Sequence, residues 1–238
     1  MDTLIKALTL LPWFDVAAVI VFFAGWIGYA WFARHRAATF PSILATTNRI
    51  RRQWMLQTTY RDVRVVDGVV VQNLSTSPSF FASTTILIIG GLLATLGTTE
   101  RANELVREFP FAARTSVLVF DLKVVLLLVI YVYAFFRFTW SMRQYTFGAL
   151  LVASAPEARQ FDAQADGQAQ REAFAAKAGR VVGMAAETFN DGLRAYYFAF
   201  AALGWFFSPL AFMLATAGVV YILYQREFHS DVLAVLNT

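Results

Sequence analysis

The chain has 238 residues, of which 58% are hydrophobic, 16% aromatic and only 15% charged. A soluble domain carries roughly 45–50% apolar and about 25% charged residues, so these charges are too few to cover a water-exposed surface. The composition excludes disorder and a coiled-coil rod, and it identifies an integral membrane protein. The absence of cysteine excludes disulfides, iron–sulfur clusters, thiolate zinc sites and cysteine nucleophiles. A net charge of +4 reflects membrane orientation and anionic headgroups rather than nucleic acid, for which no module is present.

Four apolar stretches reach the roughly 20 residues that a bilayer-crossing helix needs. The first covers 13–32, with Asp15 at its edge. Asp2 and Lys6 before it and Arg34-His35-Arg36 after it are not the flanks of a cleavable signal peptide. The second covers 80–97 and carries no charge. The third, 115–136, contains Asp121 and Lys123. The fourth, 196–224, has Ser208-Pro209 near its middle and is expected to be one kinked span. A re-entrant hairpin with an internal C-terminus is the alternative.

Between the spans the chain is expected to be helical, over about 42–79 and 137–194. Leu56, Tyr60, Val63, Val66, Val70 and Leu74 recur at spacings of three and four, as one apolar helical face does. Ser42, just after Pro41, is a candidate N-cap. The first segment is expected to run on into span two. Span three is expected to continue through Trp140, Met142 and Phe147. Only 156–170 reads as a linker. Of the lysines and arginines, fourteen lie in the two long segments and five in the tails and the short loop. The positive-inside rule then places both long segments in the cytoplasm and both termini outside.

Candidate functional residues fall into groups. Ser77, Thr84, Gly91 and Thr95 share one face of span two, suited either to close helix packing or to lining a pore in an oligomer. Asp121 and Lys123 are ionisable groups inside a span, which is a functional hypothesis by default. Two residues apart, they point to different faces and do not pair; Arg114 is the expected partner of Asp121. Ala175, Gly179 and Gly183 form a ridge for tight packing. Glu187, Asn190, Asp191 and Arg194 make a polar collar where the chain enters span four, with Asn190 or Asp191 as an N-cap. His35 and His229 are expected on opposite sides of the membrane. No catalytic, cofactor-binding or metal-ligating pattern occurs, and the chain is not expected to be an enzyme.

Four blocks carry a resemblance. Arg51-Arg52-Gln53-Trp54-Met55 leads to Arg61-Asp62-Val63-Arg64-Val65-Val66-Asp67, followed by the run from Ser79 to Leu92. Later stand the run from Phe189 to Phe198 and Gln225-Arg226-Glu227-Phe228. In these the chain resembles the bacterial branch of the domain-of-unknown-function family 599, four-span membrane proteins. The resemblance implies membership and topology and carries over no functional residue.

The expectation is a single all-α membrane domain over 1–238: a polytopic protein of the bacterial inner membrane with four transmembrane helices, long cytoplasmic helical extensions and no cofactor. Its small-residue faces exceed what one copy buries, so a homo-oligomer within the lipid bilayer is expected. The leading function is a channel or transport-like protein for ions or small solutes. The alternative is a non-transporting scaffold that docks a cytoplasmic protein partner.

Overall fold

A computed structural model describes residues 12–36, 40–99 and 116–236, and no strand occurs among them. The helices are α1 (Trp13–Arg36), α2 (Ile43–Thr58), α3 (Val65–Gly97), α4 (Val117–Ala153), α5 (Ala158–Asp162), α6 (Gly167–Leu203), α7 (Pro209–Phe228) and α8 (Asp231–Leu236), with a 3₁₀ turn at Gly204–Phe206. Three of these, α1, α3 and α4, are long and apolar enough to cross a membrane. The expected continuations hold: α3 starts well before span two, and α4 runs on past Phe136 to Ala153.

The chain divides into two compact units. The first comprises Met1–Phe40, Thr85–Ala134 and Leu193–His229; the second comprises Pro41–Thr84, Phe135–Gly192 and Ser230–Thr238.

In the first unit the expected fourth span is corrected, because the stretch 196–224 is two helices. Helix α6 ends at Leu203 and α7 begins at Pro209. Ser208 caps α7 in extended conformation, its Oγ accepting from the Ala211 amide at 3.0 Å, and Pro209 occupies the first turn. Ser-Pro is a start signal of this kind, since proline's fixed φ suits the first helical turn and its missing N–H costs nothing there. The turn before it is tight. A Cβ on Gly204 would lie 3.1 Å from the Ala211 carbonyl oxygen, so glycine permits the approach.

The pairing of side chains fixes the directions. Along α1 and α7, Phe22 meets Phe212 (4.9 Å between ring centres), and Phe32 meets Tyr224 and Phe228 (6.2 and 6.1 Å). These helices are therefore parallel. The end of α6 runs the other way, with Trp26 stacked on Phe198 at 5.4 Å and Tyr29 under Arg194. Residues 193–228 thus form a helical hairpin. The N-terminal end of α1 and the C-terminal end of α7 lie at opposite ends of this unit. His35 and His229 lie at the same end, contrary to expectation, because each closes one of two parallel helices.

The second unit is built around Met55, Val71, Tyr145, Val152, Ala175, Ala178, Val182 and Ala185. Ser42 caps α2 as expected, accepting from the Ala45 amide at 3.1 Å. The glycine ridge also packs as read. A Cβ on Gly179 would meet the Arg52 Cα at 2.9 Å, and one on Gly183 would meet Asn48 Oδ1 at 2.9 Å. The expected apolar face from Leu56 to Leu74 is corrected. The chain leaves helical conformation between α2 and α3, and Val63 and Val66 are 75% and 70% exposed. The break follows from Asp67, which is buried and accepts from Trp54 Nε1 at 2.7 Å and from Arg61 at 2.5 Å. Arg64 donates to the carbonyls of Thr58, Ala155 and Pro156 at 2.9, 2.7 and 2.5 Å, placing a cation just past the C-terminal end of α4.

Leucine at Gly183 is expected to cost about 1–3 kcal/mol, the usual cost of overpacking. Leucine at Gly179 should cost more, because its clash is with backbone rather than with a side chain that can swing aside. Thermal unfolding in detergent checks both, and an unchanged midpoint for Gly179→Leu would refute the seam.

Candidate charged site in the apolar helices

Within the first unit a charged cluster lies where α1 begins, α4 begins and the hairpin turns. Asp15 is in the first turn of α1, where the helix dipole favours an anion. It is 7% exposed, and its carboxylate accepts a 2.6 Å bond from Trp205 Nε1. Trp205, itself buried in the 3₁₀ turn, stacks on Phe212 with ring centres 5.4 Å apart. Lys123, from the early part of α4, is 2% exposed. Its ammonium lies 5.6 Å from the Trp205 ring centre and 5.7 Å from that of Phe206, within cation–π range. Asp15 acts on it electrostatically without forming a direct salt bridge.

Asp121 turns elsewhere, accepting from Thr99 Oγ1 at 2.8 Å, so it and Lys123 do not pair, as their spacing requires. Arg114, its expected partner, lies outside the described residues. The reading from sequence missed Asp15 as a site residue and missed Trp205 altogether. The available signal was Asp15 itself, the one acid in an otherwise uncharged span.

The other candidates separate. On α3, Ser77 and Gly91 are exposed, while Thr84 and Thr95 are half-buried. The threonine hydroxyls donate to their own helix, Thr84 to the Phe80 carbonyl and Thr95 to the Gly91 carbonyl, each at 2.9 Å. Only 11% of the most apolar stretch of α3 is buried within the chain, against 44% for α4.

The collar is not a helix start. Glu187, Asn190, Asp191 and Arg194 all lie inside α6, which passes through them without a break, so neither Asn190 nor Asp191 is an N-cap. Glu187 accepts from Asn48 Nδ2 at 3.0 Å and faces Arg180 at 3.6 Å. Asp191 pairs with Arg137. Arg194 belongs to the other unit, where its guanidinium lies 5.8 Å from the Tyr29 ring centre. Beside Glu187, burial depresses the pKa of Arg51, opposed by Tyr145 and Glu187. No group of histidine, aspartate and glutamate among the described residues is arranged to hold a metal ion.

The family model described as "Protein of unknown function, DUF599" matches residues 17–232. The chain belongs to the DUF599 family. Neither a curated protein nor a solved structure matches it. The match takes in all the structural pairs of this DUF599 chain described above except Asp15, which lies just outside it.

Proposed function

We propose that the protein is a multi-pass protein of the bacterial inner membrane that passes ions or small solutes, with Asp15 and Lys123 as its charged element. The observation that supports this is the burial of Lys123 within an apolar helix. An ammonium removed from water inside a span is costly, and such residues mark ion pathways and proton relays. Homo-oligomerisation is part of the proposal, because α3 leaves most of its apolar length uncovered by its own chain. Ser77, Thr84, Gly91 and Thr95 lie on that helix, where a neighbouring copy would meet them. The test is ion flux into liposomes containing the purified protein. No flux of protons, alkali cations or chloride under either a voltage or a concentration gradient would overturn the reading.

The scaffold reading has its own support. Val65 and Val66 are each 70% exposed at the start of α3, in the second unit. Exposed apolar side chains beside Arg61 and Arg64 suit a docking partner. A folded protein without flux would leave this reading in place.

The orientation follows from the charge count together with the hairpin. Both long basic segments are cytoplasmic, and α7 returns parallel to α1, so the C-terminal helix α8 is cytoplasmic rather than external. Single cysteines at Thr3 and Glu104 are expected to react with an impermeant thiol reagent applied from outside, and cysteines at Gln164 and Val235 are not. Labelling of Val235→Cys from outside would restore the arrangement with both termini external.

A further inference from the structure

Between the parallel helices α1 and α7 lies a groove of about 500 Å³, the size of a small-molecule site. Its walls include Gly25, Gly28, Ala217 and Val220, and one end is formed by Tyr29, Phe32 and Tyr224. Glycine keeps it open: a Cβ on Gly28 would meet nothing within 4 Å.

Charge gathers at the aromatic end. Arg36, in the last turn of α1, stacks on the Phe40 ring at 3.8 Å and lies 5.9 Å from the ring centre of Phe32. Arg226, in the last turn of α7, donates to the Tyr197 hydroxyl at 2.9 Å. Arg194, Glu227 and Arg226 all act electrostatically on Tyr29. Three arginines against one glutamate leave this end cationic, while the rest of the groove is apolar. That is the polarity of an anionic amphiphile, with its tail along the helices and its headgroup at their basic ends.

We propose that this groove holds one acyl chain of an anionic phospholipid, whose phosphate is drawn to Arg36 and Arg226. The charge argues against a second copy in the same place. A two-fold partner using this face would bring the basic ends of the two chains together, with no acid in excess to separate them.

The probes are dioleoyl phosphatidylglycerol, dioleoyl phosphatidylcholine with the same tails, and inorganic phosphate. Each is added to delipidated full-length protein in detergent, followed by thermal unfolding and native mass spectrometry. Phosphatidylglycerol is expected to raise the melting temperature and remain bound, phosphatidylcholine to do so more weakly, and phosphate to have no effect. Gly28→Leu fills the groove without a clash and should abolish the difference between the lipids while leaving the lipid-free melting temperature unchanged. Ala217→Phe, from the opposite wall, is the second groove-filling variant should Gly28→Leu not fold. Arg226→Gln should lower the preference for phosphatidylglycerol about fivefold, the effect of one basic residue on an anionic headgroup. Equal stabilisation by both lipids, stabilisation by phosphate alone, or a change of oligomer mass in Gly28→Leu would each overturn the proposal.

Discussion

Replacing Asp15 with alanine is expected to destabilise the protein by about 1–3 kcal/mol, because it leaves the buried Trp205 N–H without its acceptor and removes the carboxylate that acts on the buried Lys123 ammonium. Lys123→Met should cost less than Asp15→Ala, because Asp15 keeps its place at the α1 N-terminus. It removes the cation in a side chain of similar volume, and Asp15 keeps its bond from Trp205. The double variant Asp15→Asn, Lys123→Met should melt close to the wild type, since neither charge is then buried. For flux in liposomes the ordering differs. If the pair is the ion-handling element, Lys123→Met and the double variant both lose flux despite their intact fold. Full flux in the folded Lys123→Met protein would reduce the cluster to a structural role.

The second large effect is expected at Asp191, in the other unit. Its side chain is 9% exposed and pairs with Arg137, whose side chain is 29% exposed and whose Nε is buried without a hydrogen-bond partner among the described residues. Asp191→Ala should cost about 3 kcal/mol, the low end for breaking a buried pair, because Arg137 retains some access to water. Asp191→Asn keeps an acceptor and should cost less. Chemical or thermal unfolding of the two variants tests the ranking. An alanine variant as stable as the asparagine one would show that the pair contributes little.

The helices that a bilayer demands were legible from composition alone, and so was the glycine ridge, because small residues at a spacing of four have few uses besides close packing. The divergence of Asp121 and Lys123 was legible from helix geometry. The hairpin was harder to read. Apolar content does not distinguish one long span from two helices joined by an equally apolar turn, and every residue from Ala195 to Gln225 is uncharged. Ser208-Pro209 carried the information, as a capped helix start rather than a kink. The break between α2 and α3 was hidden for a different reason. The spacing from Leu56 to Leu74 suits a helix, but Asp67 holds both Trp54 and Arg61, and no helix keeps those two contacts at once. Asp15 was legible as a lone charge but not as half of a pair. Its hydrogen-bond partner is 190 residues away in sequence, and only the fold brings the two together.

The hairpin also bears on how the chain enters the membrane during synthesis. Its two feet carry Arg194 and Arg226, and the uncharged stretch between them presents no ionised group to be carried through hydrocarbon. On the proposed orientation such a pair would enter from the cytoplasmic side as one piece, tip first. The arm that α6 contributes, Leu193–Leu203, is about 16 Å long at 1.5 Å per residue, too short to settle across a bilayer by itself. On that orientation it would wait for α7 to emerge. On the proposed orientation nothing after Leu203 except the turn approaches the outer face. On that orientation α7 would dock beside the already inserted α1 without export of Asp231–Leu236.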